Sequence, residues 1–210
     1  MTELLLRWAS TAAFLAVAGY CVARLVAAAR VPAEYRGHHR AVDVAHVLMG
    51  VGMAAMASPV GGPLPVAAWQ TVFLLMTAWF VGSWVWERRG RRADSVGWHG
   101  GGLHHAVAAV AMVYMLTAMP HGGGGHHRSA PWLDGWTGGG MALPVVGWAL
   151  AAYFLATATL FVVRTNWRTQ VLAGPARPAG LPALLTAPRV TATCQAAMAL
   201  GNGYLLLAML

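Results

Sequence analysis

Long apolar runs separated by short polar segments account for most of this chain. A helix needs about 20 apolar residues to cross the hydrocarbon core of a bilayer, which is roughly 30 Å thick. Six segments reach or approach that length, so we expect an all-α, polytopic membrane bundle of six helices arranged as three hairpins. Five spans are the alternative, because the second and fourth segments are short and the sixth carries polar residues. The predicted spans cover residues 4–23, 41–57, 66–86, 103–119, 143–163 and 188–210 of a single integral membrane domain.

The composition agrees with this pattern and excludes several classes of protein. Of 210 residues, 58% are hydrophobic and only 10% are charged. A soluble domain of this size carries far more charge on its surface. The composition therefore excludes an ordinary cytosolic enzyme, a disordered chain and a secreted disulfide scaffold.

The arginines indicate how the predicted bundle is oriented. The chain has 14 basic residues, all arginine, against 6 acidic residues, which gives a net charge of +8. Twelve arginines follow the first, third and fifth spans, whereas only Arg7 and Arg128 fall on the other side. Because arginine-rich loops stay in the cytoplasm, we predict a multi-pass protein of the cytoplasmic (inner) membrane with both termini extracytoplasmic. The expected partner is then the lipid bilayer and not nucleic acid; a homo-oligomer or a membrane-complex partner is left open.

Histidine and methionine form two stripes with the same spacing. The second span contains His46-x6-Met53-x2-Met56, and the fourth contains His105-x6-Met112-x2-Met115. At 3.6 residues per turn, each set falls on one helix face. Both spans run from the cytoplasm outward in the predicted topology, so the two histidines are expected at matching depth. The sixth span resembles a degenerate third copy, with Gln195 at the histidine position.

Neutral, soft ligands of this kind suit copper. Thioether sulfur selects Cu(I), and imidazole also binds copper. Asp43, one turn before His46, is expected to orient the His46 ring or to offset the charge of the ion. The alternative is that Asp43 snorkels to the interface or pairs with Arg36 or Arg40. Methionine at helical spacing is also typical of ordinary core packing, and that alternative stays open. The predicted metal ligands within or beside the spans are Asp43, His46, Met49, Met53, Met56, His104, His105, Met112, Met115 and Met119.

A glycine-rich outer loop, residues 120–142, is a second candidate for metal capture. His121, His126 and His127 can converge there on Cu(II), Zn(II) or Ni(II), although a solvated polar loop explains them as well. Cys21 and Cys194 are interpreted as buried small residues, with Cu(I) binding by their thiolates as the lesser alternative. The chain contains no phosphate loop, dinucleotide fingerprint or hydrolase motif, so we expect no catalytic residues and favour a protein that is not an enzyme.

The two stripes also carry a resemblance. Two of the spans resemble those of an uncharacterised family of small integral membrane proteins from high-GC bacteria, a domain of unknown function. One span contains His46, Met49, Gly50, Met53 and Met56, and the other contains His104, His105, Met112 and Met115. The resemblance covers most of the chain. It implies a loose association with copper handling and assigns no role to any residue.

Three functions are consistent with these observations. The first is Cu(I) binding for transport or homeostasis through the stripes of spans two and four. The second is a haem b redox protein with His46 and His105 as axial ligands. The third is a non-catalytic accessory or assembly subunit, in which small residues along the spans serve helix packing.

Overall fold

The computed structural model describes residues 2–29, 38–90, 101–118, 143–171 and 188–210, and its regular elements within these ranges are all helices. The all-α prediction is thus confirmed for the described chain. Helices α1, α3 and α5 extend beyond the predicted spans at their C-terminal ends, and the bounds of the other described helices differ from the predicted ones by at most about three residues. The six helices are α1 (Thr2–Ala29), α2 (His38–Ala57), α3 (Val66–Gly90), α4 (Gly101–Ala118), α5 (Pro144–Val171) and α6 (Pro188–Met209).

Four of the helices are long and apolar enough to cross a membrane. They are α1, α2, α3 and α5, whereas α4 is apolar but shorter. Large apolar side chains such as Leu5, Leu75 and Val145 lie exposed on the outer surfaces of α1, α3 and α5. Exposed apolar surface on this scale is typical of a protein surrounded by lipid.

The helices pack as consecutive pairs around a central group of three. The most extensive contacts join α1 to α2, α3 to α4, and α5 to α6. The second helices of these pairs, α2, α4 and α6, also contact one another. In the apolar stretch of α2, 67% is buried inside the protein, against 28% in α1, 22% in α3 and 22% in α5. The helices α2, α4 and α6 therefore form the interior of the bundle, and α1, α3 and α5 surround it.

Glycines allow the inner helices to approach one another closely. A Cβ atom added at Gly52 of α2 would lie 2.6 Å from Phe73 Cζ and 3.0 Å from Met112 Cε. A Cβ atom added at Gly201 of α6 would lie 2.6 Å from Phe14 Cε1 and 3.2 Å from Met53 Sδ. These positions are filled by neighbouring side chains, so only glycine fits without a shift.

The same contacts give the relative direction of the inner helices. His46 meets His105 near the starts of α2 and α4, and Gly52 meets Met112 about two turns further along both helices. Helices α2 and α4 therefore run parallel. The prediction that their histidines lie at one level agrees with this arrangement.

Candidate metal centre

Two buried histidines meet where α2 and α4 begin. The Nε2 atoms of His46 and His105 lie 3.2 Å apart, although 59 residues separate them in the sequence. His46 is 2% exposed and His105 is 1% exposed. At this distance one ring donates a hydrogen bond to the lone pair of the other, so the two nitrogens share a single proton between them. The histidines that head the two stripes are therefore in direct contact.

Aromatic rings hold His105 in place. The Phe80 ring stacks on it with centroids 5.1 Å apart and an interplanar angle of 26°. The neighbouring His104 points elsewhere, because its Nδ1 atom lies 2.9 Å from the Tyr153 hydroxyl on α5. His104 was expected among the metal ligands; here its ring packs against α5 and presents only an edge to His105.

Two cysteines lie beside His46. The Sγ atoms of Cys21 on α1 and Cys194 on α6 are 3.2 Å apart, and both are buried free thiols. One ring nitrogen of His46 lies within 4.8 Å of both sulfur atoms. Within the described part of the chain, His46 Nδ1 has no hydrogen-bond partner, whereas Nε2 faces His105. Three helices thus bring two thiols and one imidazole close together.

A buried ion pair lies about one turn from this cluster. The Asp43 carboxylate is 3.3 Å from the Arg24 guanidinium, and the two side chains are 1% and 3% exposed. Asp43 was expected to orient His46 or to pair with Arg36 or Arg40. Asp43 pairs with Arg24, which was predicted to lie in a loop, and Nε2 of His46 faces His105. Arg36 lies outside the described residues. Arg24 lies three residues after Cys21 on α1, so it faces α2 on the same side of the helix.

The methionine stripes face the interior of the bundle. Each stripe methionine that the structure describes is 1% exposed or less; these are Met49, Met53, Met56, Met112 and Met115. Met53 Sδ lies against Gly201 of α6, and the Met112 methyl group lies against Gly52 of α2. The stripes therefore lie between the inner helices and not on the lipid-facing surface.

The remaining predicted ligands fall outside the described residues. These are Met119 and the three histidines of the outer loop, His121, His126 and His127.

The position of the two cysteines beside His46 was not predicted from the sequence. The repeat alignment did contain a signal, because Cys194 directly precedes Gln195, which aligns with His46. A third inner helix packed in parallel with α2 would carry Cys194 to the level of His46. No comparable spacing in the sequence points to Cys21.

Comparisons with known proteins give one match. No curated protein and no solved structure matches the chain significantly. A family model, Domain of unknown function (DUF5134), matches residues 38–209, which include α2 to α6 and leave out α1. Because this match covers most of the chain, the protein belongs to the DUF5134 family.

Proposed function

We propose that the protein is a six-span integral membrane protein that binds Cu(I) within its helical core for transport or homeostasis. One observation carries the proposal: His46 and His105 meet at 3.2 Å, and each begins a methionine stripe buried inside the same bundle. Ordinary packing needs apolar volume at these positions. It does not require an imidazole at the same level of two neighbouring helices.

The chemistry of these side chains suits a monovalent soft ion. Imidazole and thioether ligands are neutral, so a bound Cu(I) ion adds one positive charge to the membrane interior. A single charge there is costly, about 2.5–3.5 kcal/mol for a side chain on insertion scales, and a divalent ion would cost more. Met56 and Met115 lie toward one end of the stripes, and Met53 and Met112 lie between them and the histidines. Exchange between successive thioethers would move the ion along this series.

The proposed orientation follows from the arginines and the packing. Helix α6 runs parallel to α2, because Cys194 lies beside His46 and Gly201 lies beside Met53, seven residues further along both helices. The arginine-rich segments precede α2, α4 and α6 in the sequence. By the positive-inside rule, the end of the bundle at which these helices begin is the cytoplasmic end. The protein would then reside in the cytoplasmic membrane, with the histidines near its inner face.

The geometry favours a metal ion over haem b. Axial ligation by both histidines would place a porphyrin between their rings. Here the two ring centroids are 5.0 Å apart with a direct contact between nitrogens, and Phe80 stacks on the other face of His105. If the purified protein shows a Soret band that disappears in the His46→Ala variant, the protein binds haem and the copper proposal is wrong.

Copper loading of purified protein tests the proposal. The protein is incubated with Cu(I) under ascorbate, desalted, and assayed for copper per chain. The Met53→Leu/Met112→Leu variant should retain less copper than wild type, because leucine preserves volume but removes the sulfur. Met76→Leu is the matched control, since Met76 is a buried methionine of α3 outside both stripes. Equal copper in wild type and the double variant would overturn the stripe proposal and favour an accessory subunit.

A further inference from the structure

We infer that Cys21, Cys194 and His46 form a three-ligand Cu(I) site that shares His46 with the methionine stripe of α2. This inference rests on the proposed function, and it names the site that holds the ion most tightly. The stripes supply only neutral ligands, whereas this cluster supplies two thiols that become thiolates when they bind a metal.

The three atoms already lie near the separations that ligands of one metal ion require. The two sulfur atoms are 3.2 Å apart, and a His46 nitrogen lies within 4.8 Å of each. With bonds of about 2.3 Å to sulfur and 2.0 Å to nitrogen, as at zinc sites, ligand atoms around one ion stand roughly 4 Å apart. The sulfur atoms need only separate by less than about 1 Å, and small side-chain rotations achieve this.

His46 is prepared to act as a ligand. Its Nε2 atom is engaged by His105, and its buried Nδ1 atom has no hydrogen-bond partner within the described residues. A ligating histidine usually donates its second ring N–H to a neighbouring group, which fixes the tautomer and the ring orientation. With the proton on Nε2, the Nδ1 lone pair is free to bind the ion. His105 is then a positioning residue, held by its stacking on Phe80.

The number and softness of the donors in this cluster suit Cu(I). Binding releases the two thiol protons to water, so two thiolates and one Cu(I) leave a net charge of −1. The Arg24 guanidinium, one turn from Cys21 on α1, is already paired with Asp43, so this ion pair adds no net charge beside the site. Two sulfurs and one imidazole satisfy Cu(I), which is stable with three soft ligands, whereas structural zinc sites take four.

Affinity and coordination measurements on the full-length protein test the inference. Cu(I) is titrated against a chromogenic Cu(I) chelator under ascorbate, and the X-ray absorption of the loaded protein is recorded at the copper edge. We expect one tightly held Cu(I) with two sulfur neighbours and one nitrogen neighbour. The Cys21→Ser/Cys194→Ser variant should lose this ion, and His105→Gln should weaken it by about tenfold or more. Circular dichroism shows whether each variant remains folded.

Matched variants separate this inference from the proposed function. If the cysteine variant keeps a tight ion with the wild-type spectrum, the three-ligand site is excluded even if the methionine variant loses copper. If the cysteine variant loses the tight ion but Met53→Leu/Met112→Leu does not change total copper, the site stands and the stripe proposal fails. Zn(II) that binds more tightly than Cu(I) would overturn the assignment of the metal.

Discussion

The Arg24 guanidinium lies 3.3 Å from the Asp43 carboxylate, and both side chains are almost completely buried between α1 and α2. Each buried charge of this pair is compensated by the other. Removing one partner leaves the other charge without compensation, which typically costs about 3–5 kcal/mol, whereas replacing both with apolar residues of similar volume is often neutral.

The first prediction concerns this pair. Asp43→Leu alone should lower the melting temperature of the purified protein strongly, and the Arg24→Met/Asp43→Leu variant should recover most of the loss. Glu3→Gln is the control, because Glu3 is largely exposed in its 3.4 Å pair with Arg7 and should contribute about 1 kcal/mol or less. The melting temperatures of all three variants are measured by thermal unfolding, monitored by circular dichroism. A double variant no more stable than Asp43→Leu would show that the two charges are not coupled.

The second prediction concerns the contact of α6 with α1 and α2. Gly201→Ala should destabilise the protein by about 1–3 kcal/mol, because the added methyl group would overlap the Phe14 ring. Gly82→Ala introduces the same change on α3, where no atom lies within 4 Å of the new methyl group. The control variant should therefore be as stable as wild type in the same unfolding experiment. Equal stability of the two variants would contradict the close packing of α6.

The third prediction uses the 3.2 Å separation of the two thiols. Diamide should oxidise Cys21 and Cys194 to an intrachain disulfide; the thiols lose two hydrogen atoms and diamide is reduced to its hydrazine. With a protease site inserted in residues 120–142, the two fragments should remain joined on a non-reducing gel after cleavage. Cys21→Ser is the control and should give separate fragments. Loading with Cu(I) beforehand should block the crosslink, and separate fragments from oxidised wild type would contradict the contact.

The fourth prediction concerns topology. Alkaline phosphatase fused after Leu210 should be active, because six spans with both ends outside place this end of the chain outside the cytoplasm. The same enzyme inserted within residues 172–187 should be inactive, because the arginine-rich segments are expected in the cytoplasm. Five spans, with the sixth helix not crossing, would place Leu210 in the cytoplasm and make the first fusion inactive.

The helices were predictable because each one is encoded locally. An apolar run of sufficient length forms a helix wherever it lies in the bundle, and glycine, proline and arginine between the runs separate one helix from the next. The matching depth of His46 and His105 was predictable for a related reason. Two stripes with the same spacing on parallel helices place equivalent residues at equal depth.

The cysteine pair could not be predicted in this way. Cys21 and Cys194 lie 173 residues apart on the first and last helices, and no sequence spacing reports which outer helix packs against which inner one. Arg24 was misjudged for a similar reason. It lies near the end of an apolar run and was assigned to a loop, but α1 continues to Ala29 and buries the side chain against Asp43.

The separation of the two cysteines along the chain also affects biosynthesis. Cys21 enters the membrane with the first helix, whereas Cys194 is synthesised 173 residues later. At about 5–20 residues per second, the ribosome needs roughly 10 to 35 seconds to pass from one cysteine to the other. During that interval the nascent chain has only one of the two thiols, so a fragment released early would lack Cys194. Only a chain translated through its last helix can bring the two sulfur atoms together.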